Sequence, residues 1–191
     1  MLIGILALQG DFERHEKRLK EIGVDSHRVK SCEDLNKCDG LILPGGETTT
    51  LRSLLQWNGL FQAIQEYEKP IFGTCAGMIL LAKEIEGIQK ETLNLIDLTV
   101  KRNAYGRQIH SFEAEGEAPF LGNGAGIRMV FIRAPKITRL GEGTESLATC
   151  KGEVVMSKNE RILVSTFHPE LTPDVRIHRY FVDEFVRIND K

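Results

Sequence analysis

Two short segments of this sequence combine residue types and spacings suited to nucleophilic chemistry. The first is Gly73-Thr74-Cys75-Ala76-Gly77, which follows the apolar pair Ile71-Phe72 directly. A cysteine with glycines two residues to either side has the form of a nucleophile elbow, a sharp strand-to-helix turn that presents its central side chain above a sheet. The glycines remove side chains where strand and helix must come close. The turn leaves Cys75 at a helix amino terminus, where unpaired N–H groups and the dipole favour an anionic sulfur. An arbitrary cysteine is more often a small packing residue, and here the glycine spacing reverses that preference.

The second segment is Phe167-His168-Pro169-Glu170, at the end of a predicted strand. A cysteine nucleophile needs a base and a proton donor, which His168 supplies. In an extended segment residues two apart point to the same side, so Glu170 lies beside His168 and orients its imidazole. Pro169 favours that extended path. His15, His27, His110 and His178 have no comparable context and read as surface or packing residues.

Pro44-Gly45-Gly46-Glu47-Thr48-Thr49-Thr50 follows an apolar run, and two readings of it stay open. Its glycine N–H groups suit an oxyanion hole, or it is an ordinary turn with Thr48 or Thr49 capping the next helix. The lysine of a phosphate-binding loop is missing, so nucleotide binding is not supported. Arg102 and Arg107 flank a turn within Arg102-Asn103-Ala104-Tyr105-Gly106-Arg107-Gln108, and Arg133 ends a strand in Phe131-Ile132-Arg133-Ala134-Pro135. Such guanidinium forks suit a substrate carboxylate, although surface arginines are usually only solvated.

These segments must be held by a scaffold, and the flanking pattern shows which. Residues 2–8 form a continuous apolar run that reads as a strand buried on both faces. Asp11 is placed to cap a helix with Phe12, Leu19 and Ile22 on one face. Residues 27–30 make a weak strand, and residues 40–43 a stronger one stopped by Pro44-Gly45-Gly46. Leu51, Leu54, Leu55, Leu60, Phe61 and Ile64 recur at helical spacing with a break near Asn58-Gly59. After the short strand at 71–72, residues 78–84 continue as a helix.

Beyond Gly87 the pattern alternates through Leu93, Leu95, Asp97 and Thr99. Strands follow near 108–113 and 127–132, then a hairpin over 154–156 and 162–167. Asp174 starts a last helix carrying Ile177, Phe181, Phe185 and Ile188. This predicts an α/β fold: one flavodoxin-like three-layer domain over residues 1–191, with a mostly parallel central sheet and extra antiparallel strands in the second half. Such sheets place ligands at the carboxyl ends of their strands, where Gly45-Gly46 and Cys75 fall.

Composition agrees with an enzyme-sized domain. The chain has 191 residues, 41% hydrophobic and 27% charged, with a net charge of -2 and scattered basic residues. That gives no electrostatic footprint for nucleic acid. The most apolar stretch, residues 71–82, is too short to cross a bilayer, and no basic region precedes the first apolar run. A cytoplasmic protein is expected. Cys32, Cys38, Cys75 and Cys150 lie far apart and should be thiols.

These motifs, in this order, resemble the class I glutamine amidotransferases, and more closely the glutaminase subunits of pyridoxal 5′-phosphate synthase. The resemblance rests on Leu6-Ala7-Leu8-Gln9-Gly10, Pro44-Gly45-Gly46, the Cys75 elbow, Arg102-Asn103 with Gly106-Arg107-Gln108, residues 131–135 and His168-Pro169-Glu170. It implies a Cys75, His168, Glu170 triad with Gly46 and Ala76 N–H groups as oxyanion hole. It further implies L-glutamine bound by Gly46, Glu47, Thr48, Arg102, Ile132 and Arg133, several through their backbone. Thr48 departs from the usual serine. Gln9 resembles a residue near the site at the partner interface. No metal or cofactor is implied, and the expected partner is a synthase subunit in a large hetro-oligomeric complex that receives the ammonia. Alternatives are the glutaminase subunit of imidazole glycerol phosphate synthase, a related flavodoxin-like cysteine hydrolase, and a non-catalytic regulatory subunit.

Overall fold

The computed structural model describes residues 1–104, 111–122 and 126–190. Tyr105, Gly106, Arg107, Gln108 and His110 lie outside the described residues, and with them part of the arginine turn and of the strand expected near 108–113.

The first half alternates strand and helix as its apolar pattern requires: β1 (Leu2–Leu6), α1 (Phe12–Glu21), β2 (Asp25–Val29), α2 (Cys32–Asn36), β3 (Gly40–Leu43), α3 (Thr48–Trp57), α4 (Leu60–Gln65), β4 (Ile71–Thr74) and α5 (Ala76–Leu81). The long helical pattern over residues 51–64 is indeed two helices, divided at Gly59, whose φ of 77° an L side chain rarely adopts. Then come β5 (Ala82–Ile85), β6 (Ile96–Lys101), β7 (Ser111–Glu117), β8 (Gly126–Ile132), β9 (Lys136–Leu140), β10 (Glu145–Cys150), β11 (Glu153–Lys158), β12 (Ile162–Ser165) and α6 (Arg176–Phe181).

The main sheet has nine strands in the order β2-β1-β3-β4-β12-β11-β10-β7-β8. From β2 to β12 neighbouring strands are parallel, and from β12 to β8 they are antiparallel. A smaller sheet joins β5, β6 and β9. Alternation along the parallel strands sends side chains to two cores. Leu6, Leu41, Leu43, Ile162 and Val164 face the core shared with α3, α4 and α5. Ile3, Ile5, Ile42, Phe72 and Leu163 face the core holding Leu19, Ile177 and Phe181. A sheet covered on both faces is the three-layer arrangement expected, and each such side chain fully buried contributes about 1.5–3 kcal/mol over exposure.

Several local expectations are corrected. Residues 82–85 leave the helix and form β5: Ala82 turns extended at ψ 152°, and Ala82 and Ile85 face inward while Lys83 and Glu84 stay exposed. Asp11 occupies the cap position of α1 without a side-chain cap bond. The last helix starts at Arg176 rather than Asp174, and a π-helical turn over Val182–Val186 follows α6. The wider turn rotates Ile188 off the inner face, leaving it 56% exposed. Of strands β9 and β10, absent from the sequence reading, β9 has no fully buried position and β10 alternates only over its last four residues.

Candidate active site

Strand order decides which loops meet. The chain places β2 on one side of β1 and β3 on the other, so the connections diverge at the carboxyl ends of β1 and β3, the point where open α/β sheets open a crevice. The Gln9-Gly10 and Pro44-Gly45-Gly46 loops border it. Next to β3 lie β4 and β12, whose ends are level, with Leu43 opposite Gly73 and Thr74 opposite Ser165. The residues just past these ends are Gly45, Cys75 and His168.

Cys75 sits in the predicted elbow. Its φ of 48° and ψ of -103° lie outside the regions usual for an L residue, a local strain worth about 1–3 kcal/mol that the surroundings must sustain. Its N–H donates to Ser165 O at 2.9 Å, locking β4 to β12 at the turn. A Cβ on Gly77 would collide with the Leu43 carbonyl, so helix α5 reaches the sheet this closely only with glycine there. The thiol points to Ile132 O, 3.7 Å away.

His168 follows β12, and its N–H donates to Val130 O at 2.8 Å. Its Nδ1 stands 2.7 Å from Glu170 Oε1, and both side chains are buried. The extended path expected for this segment is corrected: Pro169–Leu171 form a 3₁₀ turn. Proline at the first position of a turn has its φ already set and no N–H to satisfy, and the tight turn still brings the two side chains together. Nε2 of His168 is buried and has no hydrogen-bond partner among the described residues. Burial opposes charge on this ring, but Cys75 and Glu170 on its two sides outweigh it and raise its pKa to about 10. For Glu170, burial pushes upward, while His15 and His168 prevail and hold the carboxyl down at about 2.

An open cavity of about 590 Å³ lies above Cys75 and His168, within the size range of small-molecule sites. Its lining includes Gly46, Glu47, Thr48, Ala76, Arg102, Ile132 and Arg133, so every residue expected to bind substrate borders one space. Glu47, not Thr48 or Thr49, caps α3. Its carboxylate accepts from Thr49 N at 3.0 Å and Thr50 N at 2.6 Å, and these bonds hold its pKa at about 2. Thr48 is instead the first helical residue and is buried. Arg102 pairs with Glu47 Oε1 at 3.5 Å. Arg133 has a φ of 44°, uncommon for a bulky residue and again a local strain beside the cavity. Gln9 Oε1 accepts from Glu47 N at 3.3 Å, bracing this loop.

The β7–β8 ribbon supplies the far wall. It folds back so that Phe131 packs on Phe167 with centroids 5.9 Å apart, carrying Ile132 and Arg133 to the thiol. Sequence reasoning missed one neighbour. His15 Nε2 lies 3.5 Å from Glu170 Oε2. Its signal was present: His15 falls between Phe12 and Leu19 on the inward face of α1. His27, by contrast, is a surface residue paired with Asp34 at 3.1 Å, as expected.

Residues 5–187 match the family model described as the SNO glutamine amidotransferase family. The chain is 48% identical over 190 residues to the pyridoxal 5′-phosphate synthase subunit PdxT of Pelotomaculum thermopropionicum, covering 98% of this chain and 96% of that one. It is 46% identical over 187 residues to the subunit of the same name from Carboxydothermus hydrogenoformans, covering 96% and 97%. A crystal structure described as a glutamine amidotransferase superposes with a TM-score of 0.88 at 44% identity, covering 95% of this chain and 97% of that one.

Proposed function

The chain belongs to the SNO glutamine amidotransferase family, and from that premise we propose that it is the glutaminase subunit of a pyridoxal 5′-phosphate synthase. It hydrolyses L-glutamine to L-glutamate and ammonia through a Cys75 thioester. The ammonia passes to a synthase subunit that builds pyridoxal 5′-phosphate from ribose 5-phosphate and glyceraldehyde 3-phosphate. The observation that carries the chemistry is the meeting of Cys75 with the buried His168–Glu170 pair, 2.7 Å apart, beneath the cavity.

In this reading the Cys75 sulfur attacks the side-chain amide carbon of glutamine. Charge develops on the amide oxygen, and backbone N–H groups of Gly46 and Ala76 stabilise it. Ala76 suits that role because the first N–H groups of a helix lack intrahelical acceptors, whereas the Cys75 N–H is already spent on Ser165 O. Protonated His168 gives its Nε2 proton to the departing ammonia as the carbon–nitrogen bond breaks. Water then attacks the thioester while His168 takes a proton from it, and the carbon–sulfur bond breaks to release glutamate. Glu170 keeps the imidazole oriented throughout.

Arg102 and Arg133 are suited to the glutamine carboxylate, and Glu47, Thr48 and Ile132 complete the binding surface. The extra methyl of Thr48 changes substrate fit slightly and leaves activity in place. Gln9, beside the same loop, is proposed to lie at the interface with the synthase. The assembly is a large hetero-oligomer in the cytoplasm; four free thiols fit a reducing compartment. No described helix is long and apolar enough to cross a membrane.

The test is glutamate and ammonia release from glutamine by the chain alone and with a pyridoxal 5′-phosphate synthase subunit, with Cys75→Ala as control. Activity that rises with the partner and vanishes in the variant is the expected result. Ammonia release that persists in Cys75→Ala would sink the chemistry; indifference to the partner would sink the pathway.

A further inference from the structure

Behind the proposed triad lies a second set of buried polar groups. His15 on α1 and His178 on α6 are both fully buried, with His15 Nδ1 2.9 Å from His178 Nε2. On its other edge, His15 Nε2 faces Glu170 Oε2 at 3.5 Å. None of His15 Nε2, Glu170 Oε2 and His178 Nδ1 has a hydrogen-bond partner among the described residues. The Phe72 ring stands edge-on to both imidazoles, closing the cluster on its apolar side.

The proton arrangement follows from what each group can donate. An ionised Glu170 only accepts, so the hydrogen of a neutral His15 belongs on Nε2, facing the carboxylate. Its Nδ1 then carries the lone pair and accepts from His178 Nε2–H, which leaves His178 Nδ1 bare. The opposite tautomer would set a lone pair against a carboxylate oxygen in a dry interior and leave Oε2 facing no donor. Burial pushes both imidazoles toward the neutral form, as this arrangement needs. The titratable groups facing the pair are Glu170, His168 and Asp11 around His15, and Arg18 and Asp174 beside His178. The 3.5 Å separation is long, and contacts in a resting site commonly tighten when substrate is bound.

We propose that His15 is a positioning residue for glutamine hydrolysis: its Nε2–H holds Glu170 Oε2, so that Oε1 stays on His168 Nδ1, and His178 sets the His15 tautomer. This rests on the reading of Cys75, His168 and Glu170 as the triad. Without that donor, Glu170 keeps one partner, its ionised form is less favoured, and it is free to turn away from His168.

The experiment compares His15→Gln, His15→Asn and His15→Leu, each assayed in complex with the synthase subunit across a pH range. A glutamine amide N–H reaches the Nε2 position; an asparagine amide stops near Nδ1, and leucine has no donor. Expected is a kcat near wild type for His15→Gln and a loss of roughly 10- to 100-fold for His15→Asn and His15→Leu, the range seen when the group that orients a metal-ligating side chain is removed. KM for glutamine stays unchanged, and the acid limb of kcat moves to higher pH in the two impaired variants. Any two folded variants decide the matter. Equal activities in the glutamine and asparagine variants, or an unmoved acid limb, overturn the role of His15. Persistent activity in Cys75→Ala would instead overturn the triad on which it rests.

Discussion

A Cβ placed on Gly45 would run into Cε1 of the His168 imidazole. The loop after β3 is therefore a wall for the ring that follows β12, and glycine is what lets the two approach.

Gly45→Ala is expected to displace His168, because Gly45 is itself buried and the added Cβ meets the ring. A misplacement of about 1 Å in a reacting group costs on the order of 10²-fold. Ammonia release by the complex should fall by that order. An alanine variant with wild-type kcat would mean that the ring has room to spare.

Glu170→Gln keeps the volume of the side chain and replaces the acceptor facing His168 Nδ1. The amide either offers the wrong group or leaves a neutral partner beside the imidazolium. Loss of the orienting carboxylate in such a triad costs on the order of 10⁴ in kcat. Steady-state rates with and without the synthase measure it, and a loss below tenfold would remove Glu170 from the triad.

The raised pKa of His168 makes a statement about stability. It moves from 6.5 to about 10 on folding, so the native state binds the proton more tightly than the unfolded chain does. The resulting stabilisation is fully present below pH 6.5 and is lost as pH rises through about 10. Denaturant unfolding of wild type and His168→Gln at pH 6, 8 and 10 should show the largest gap at pH 6 and a narrowing gap above. A gap that widens with pH would show that the folded site prefers the neutral ring.

His178 has the opposite sign. Burial, with His15 alongside, lowers its pKa from 6.5 to about 3. Below pH 6.5 the unfolded chain binds more protons than the native one, so stability declines as pH falls from 6.5 toward 3. His178→Leu removes that protonation, and its melting temperature should depend less on pH between 7 and 4 than that of wild type. Parallel curves for the two proteins would count against a neutral buried His178.

The sequence by itself determined the parts whose meaning is local. Glycines two residues either side of Cys75 mark a strand-to-helix turn, because only there must the backbone come so near; the Leu43 carbonyl against Gly77 is the contact they anticipate. Continuous apolar runs marked β1 and β3 as strands buried on both faces, and the two-position spacing of His168 and Glu170 allowed their contact, although a 3₁₀ turn rather than an extended path makes it.

Only the tertiary structure decided what depends on strand order. The β7–β8 ribbon returns to set Ile132 O beside the Cys75 thiol, and helices α1 and α6 bring together His15 and His178 across 163 residues of chain. Periodicity could place His15 on the inward face of its helix, yet it carries no record of which buried group waits there. That is set by the order in which strands pair, and the pairing is stabilised by the two cores as a whole rather than by any one segment.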